Sequence, residues 1–151
     1  MPGVLMVALA VAMLVPQSGA RAQQMPTIEV YKTPTCGCCN KWVEHLRNNG
    51  FTVRTVNLDR LADVKARHGV PSRVQSCHTG LIDGYVIEGH VPAVDIQRLL
   101  KERPSGAAGL AVPGMPIGSP GMEVQGTKAQ PYNVVTFDKE GRTSVFAARG
   151  R

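Results

Sequence analysis

The sequence predicts a single α/β domain, and three observations carry that expectation. Short β-branched runs alternate with segments whose apolar residues recur at helical spacing. Two of the runs are joined by Asp83-Gly84, a two-residue hairpin signal. Hydrophobic residues make up 43% of the chain and charged residues 19%, a balance that allows a buried core.

The elements follow in order. Val4 to Val15 is an almost unbroken aliphatic run, shorter than the roughly 20 residues a spanning helix needs. Pro16, a polar stretch and Ala20-Arg21-Ala22 come next, a small-x-small cleavage pattern. Residues 1–22 are therefore read as a secretory signal peptide, although no Lys or Arg precedes the apolar run. Residues 23–151 are then one exported, periplasmic domain with no membrane segment left after cleavage. Thr27 to Tyr31 reads as a first strand, and Cys39 to Asn49 as a helix with Trp42, Val43 and Leu46 on one face. Thr52 to Leu58 is a second strand, and Arg60 to His68 a short helix stopped by Gly69. Val74 to Ile82 and Tyr85 to Glu88 form the hairpin. Pro92 opens a third helix, and Pro104 ends it. Ser105 to Pro131, rich in Gly and Pro and carrying Met115 and Met122, reads as a long loop. Tyr132 to Phe137 and Thr143 to Phe146 make a closing hairpin. The order β-α-β-α-β-β-α with a late hairpin is the thioredoxin/glutaredoxin-like arrangement: a central mixed sheet flanked by helices, here with a C-terminal Gly/Pro/Met loop and β-hairpin.

The net charge of +6 is scattered, and one Trp, three Tyr and three Phe supply no aromatic-basic interleaving. The chain lacks the footprint of a nucleic-acid binder. Phosphate-cradling glycine loops, nucleophile elbows, zinc-protease signatures and internal repeats are missing as well.

Chemistry concentrates in the cysteines. Three of the four lie in Cys36-Gly37-Cys38-Cys39, between a strand and a helix. Amides and the dipole at a helix N-terminus stabilise a thiolate, which is both the disulfide-exchange nucleophile and a soft metal ligand. Cys77, just ahead of the hairpin and followed by His78, faces that loop across the groove if the register holds. Two structural disulfides are the plain alternative, but neighbouring sulfurs close tiny loops and stabilise little. A tetrahedral zinc site is another, ranked below copper because soft Cu(I) suits clustered thiolates in an exported protein. Met115 and Met122 offer thioether ligands, against a role as core fillers. Trp42 is read as packing beneath the cysteine loop. His45, His68 and His90 are read as surface or capping residues, with His90 singled out because Glu88 and His90 share one face of a strand.

The strings YKTPTCGCC (residues 31–39), SCHT (76–79), GYVIEGHVP (84–92) and VPGMPIGSPGME (112–123) resemble the CopG-like family. These are exported bacterial proteins of thioredoxin type, long of unknown function and associated with copper resistance. The resemblance covers nearly the whole mature chain. It implies that Cys36, Cys39 and Cys77 are copper ligands joined by Cys38, that a multinuclear Cu(I) cluster forms, and that thiols interconvert copper redox states. The expected metal set is thus Cys36, Cys38, Cys39, Cys77, His78, Met115 and Met122, and the expected partners are copper ions and other periplasmic copper-handling proteins. The competing function is a thiol–disulfide oxidoreductase acting on exported proteins, in which Cys36 attacks and Cys39 resolves. Against it, Thr35 stands where such enzymes carry Trp, and Gly37-Cys38 where they carry a proline.

Overall fold

The structure, a computed structural model, describes residues 25–150, so the expected leader over residues 1–22 lies outside the described residues. The described residues fold as an α/β domain around one seven-stranded mixed sheet with three α-helices. In chain order the elements are β1 (Ile28–Lys32), α1 (Gly37–Asn48), β2 (Val53–Asn57), α2 (Ala62–Arg67), β3 (Thr79–Ile82), β4 (Tyr85–Glu88), α3 (Ala93–Glu102), β5 (Gly109–Ala111), β6 (Tyr132–Phe137) and β7 (Thr143–Arg149). The sheet order is β2-β1-β3-β4-β5-β6-β7. Two pairs are parallel, β1/β2 and β4/β5, each bridged in sequence by a helix, while the remaining neighbours are antiparallel.

Alternation along the strands gives the sheet two distinct faces. Ile87 and Leu110 join Trp42, Val43 and Leu46 of α1 and Ile96 and Leu99 of α3 in the larger core. Each fully buried Ile or Leu there contributes about 1.5–3 kcal/mol. Their strand neighbours Val86 and Ala111 point the other way, into a smaller cluster with Val70, Val74 and Phe137. Buried Asp95 on α3 accepts from Arg149 Nε at 3.0 Å, tying β7 to the helix layer. Among the described residues no helix is long and apolar enough to cross a membrane.

Several boundaries depart from the sequence reading, among them β7, which runs three residues further to Arg149, and α2, which begins two residues later at Ala62. The expected long loop contains β5, a three-residue Gly-Leu-Ala strand without β-branched residues, held by its buried position between β4 and β6. The expected strand from Val74 begins only at Thr79: Ser72–Val74 is a 3-10 turn, and Gln75 to His78 is irregular. The first helix starts two residues early, at Gly37, because Cys36 caps it.

Candidate metal centre

The Cys36 side chain accepts from Cys39 N–H at 3.3 Å, satisfying an amide that the first helical turn leaves free. One turn of α1 therefore presents three sulfurs together. Cys36 and Cys39 are joined by a disulfide, and Cys38 and Cys77 are free. Cys38 Sγ lies 3.5 Å from Cys36 Sγ. Cys77 arrives from the irregular segment before β3, and the four Sγ atoms lie within 4.8 Å of one another. Cys39 is fully buried, whereas Cys36, Cys38 and Cys77 are half-buried, so the cluster opens to solvent on their side.

A second grouping shares Cys77: its sulfur and ring nitrogens of His78 and His90 also lie within 4.8 Å. His90 Nε2 is 3.0 Å and His78 Nδ1 3.2 Å from Cys77 Sγ. The Pro120 carbonyl oxygen lies 2.8 Å from His90 Nδ1 and can only accept, so the proton sits on Nδ1 and Nε2 turns its lone pair to Cys77. This is the outer-partner arrangement that orients imidazole ligands in metal sites. His78 is completely buried, and its Nε2 has no hydrogen-bond partner. Its ring packs on Trp42 with centroids 4.2 Å apart and edge-on to His90 at 4.9 Å. Trp42 is itself fixed by donating Nε1–H to Val91 O at 2.8 Å.

The electrostatics keep the donors neutral. Burial pushes the Cys77 thiol up to about 12, with Cys38 adding to the shift, so Cys77 holds its proton at neutral pH. Burial also drives His78 well below the usual imidazole range, helped by His90 and Lys65, and lowers His90. Neutral imidazoles are the form that binds metal. Capture of a metal by Cys77 must displace its proton.

The Gly/Pro/Met segment covers this site. Gly121 has φ +86, and a Cβ there would stand 2.7 Å from Cys38 O and 2.8 Å from Trp42 N, so only glycine lets the segment lie on the start of α1. Met122, next to it, is partly buried, while Met115 is 52% exposed. The residue before it, Gly114, accepts from Ser76 Oγ at 2.5 Å, which pins the segment beside Cys77.

Two expectations for the histidines change. His90 is fully buried against Cys77 rather than a surface or capping residue. Glu88 and His90 do not share a strand face: β4 ends at Glu88, Gly89 turns with φ +71, and Glu88 points to Lys65 instead. His45 does act as a cap, its Nε2 accepting from Ala93 N–H at 3.0 Å at the start of α3.

Residues 74–122 match a family described as proteins of unknown function, DUF411, a span running from Val74 to Met122 that holds Cys77, His78 and His90. Two solved structures, titled copper resistance protein CopG form 1 and form 2, are each similar at 45% identity with a TM-score of 0.77. In both cases the match covers 83% of this chain and 98% of the other. No curated protein matches the chain.

Proposed function

The chain belongs to the family of the copper resistance protein CopG, and from that premise we propose that it is an exported, thioredoxin-like protein that takes Cu(I) as cargo. The observation that carries this reading is the convergence of four cysteine sulfurs within 4.8 Å, beside two neutral imidazoles. Thiolate, imidazole and thioether are soft or borderline donors, and such a set favours Cu(I) over hard cations. Zinc would also fit four such donors. In the His78 ring, Nδ1 is the nitrogen that faces this site, 3.2 Å from Cys77 Sγ.

The oxidised chain offers Cys38, Cys77, His78 and His90; reduction of the Cys36–Cys39 disulfide adds two more thiolates. Opening that bond consumes two electrons. If copper supplies them, two Cu(I) become two Cu(II) as one disulfide becomes two thiolates. The cysteine pair would then both hold copper and set its oxidation state, in a periplasm reached through cleavage of residues 1–22, with other copper-handling proteins as donor and acceptor.

The thiol–disulfide oxidoreductase reading draws on one observation, a disulfide at a strand-to-helix turn with its first sulfur half-exposed. Metal content and free-thiol count on mature protein from copper-supplemented periplasm separate the two. The expected result is more than one copper per chain, sharply reduced in Cys77→Ser. Copper loading unchanged in Cys77→Ser would sink the convergent site. Metal-free protein with no reducible copper uptake would leave the oxidoreductase reading ahead.

A further inference from the structure

Gln75 to His78 has no strand ladder to hold it, yet it delivers the sulfur that completes the cluster. Its anchors come from a buried ion pair on the sheet face opposite the larger core. Glu88 is fully buried at the end of β4, and Lys65 of α2 nearly so. The Glu88 carboxylate accepts from Ser76 N–H at 2.6 Å and from Thr79 Oγ1 at 2.7 Å. Lys65 Nζ contacts the same carboxylate and donates to Thr79 Oγ1 at 3.0 Å. The anchored residues flank Cys77 and His78 on either side. A further bond, Gly89 N–H to His78 O at 3.1 Å, holds the backbone between them.

Buried ion pairs are poor sources of stability, since apolar residues of similar shape often replace them without loss. The hydrogen bonds this pair makes to the segment carrying Cys77 point to another role. We infer that Lys65 and Glu88 are positioning residues: they fix Ser76 and Thr79 so that the Cys77 sulfur meets the Cys36–Cys39 turn and His90. Neither touches a cysteine sulfur in the described contacts; they act through the backbone that carries Cys77. In its copper arm this inference rests on the proposed function, but its thiol arm does not.

The thiol arm uses the oxidised chain carrying Cys38→Ser, in which Cys77 is the remaining free thiol. Its alkylation rate is compared with and without the double substitution Lys65→Met/Glu88→Leu, at matched thermal midpoints. The expected result is a folded protein whose Cys77 reacts faster by on the order of tenfold, because access to a thiol governs its rate. Thr79→Val, which keeps the β-branched shape and deletes only the hydroxyl, should raise the rate in the same direction by less. The copper arm measures Cu(I) per chain in the double variant with all four cysteines present, and expects a loss. A double variant with unchanged Cys77 reactivity, or Thr79→Val unchanged where the double variant fails to fold, overturns the inference. Raised Cys77 reactivity with copper absent even from the unsubstituted chain supports positioning and faults the copper reading alone.

Discussion

Cys36, Cys38 and Cys39 reach the site from one turn of α1, whereas Cys77 and His90 reach it from the two segments that flank the β3/β4 hairpin, 13 residues apart. On the first side, adjacency in sequence does most of the work: the turn forms once β1 ends and Cys36 caps the helix. On the second, each donor needs a separate support. Cys77 depends on Glu88 and Lys65, His90 on the Pro120 carbonyl, and His78 on the Trp42 ring. The assembled side, with a separate support for each donor, is therefore expected to be the more sensitive of the two to loss of a single contact.

His90→Phe, which keeps a planar ring but has no nitrogen, breaks the assembled side most sharply short of removing Cys77 itself. It removes both the nitrogen facing Cys77 and the donor to Pro120, so the ligand and the seat of the covering segment go together. Cu(I) affinity, measured by competition with a chromophoric chelator, should fall by on the order of 100-fold, the upper end of what even outer partners of metal ligands contribute. A fall of under threefold would place His90 outside the donor set and leave it a packing residue.

The same contrast marks what was legible in the sequence. The α/β class, the parallel β1/β2 pair and the hairpin about Asp83-Gly84 follow from periodicity and turn chemistry, and the cysteine turn is visible as a string. His90 was also within reach. A two-residue turn at Asp83-Gly84 pairs Ile82 with Tyr85 and Thr79 with Glu88, and continuing that register past the strand ends sets Cys77 opposite His90. Lys65 and the Pro120 carbonyl carry no comparable signal. Lys65 on a short helix reads as a solvated charge, and a backbone carbonyl in a Gly/Pro-rich stretch is silent in any residue pattern. β5 stayed hidden for a related reason, since burial between two strands rather than the propensity of Gly-Leu-Ala makes it a strand.

The methionines sharpen the comparison, because they sit on the covering segment but differ in exposure. Met122 follows the glycine that packs on α1, while Met115 is half in solvent. Substituting leucine for each keeps apolar bulk and removes the sulfur. Met122→Leu should weaken Cu(I) affinity by about threefold to tenfold, as expected for a soft but weak thioether donor, and Met115→Leu by less. Equal and negligible effects would make both of them packing residues and shift the burden wholly to cysteine and histidine.

The smallest expected effect concerns His45, on the same helix as the cysteine turn but outside the donor set. Its Nε2 accepts the Ala93 amide, a bond that requires the neutral ring, and burial lowers its pKa below 6.5, with Glu123 opposing. In the unfolded chain the ring takes up a proton as pH falls through 6.5, while in the fold it does so only at lower pH. The unfolded state thus binds more protons across that window, so stability is fully present above pH 6.5 and declines as pH falls toward the folded value. His78 and His90 are shifted in the same direction by burial and add to the slope. His45→Gln keeps an oxygen acceptor for Ala93 and removes the titration. Urea midpoints between pH 7.5 and about 5 should then fall less steeply than in the parent, by at most about 1.4 kcal/mol per pH unit for one proton. Parallel slopes would mean that the Ala93 bond does not hold the ring neutral, and that the acid sensitivity lies in other groups, the buried His78 and His90 first among them.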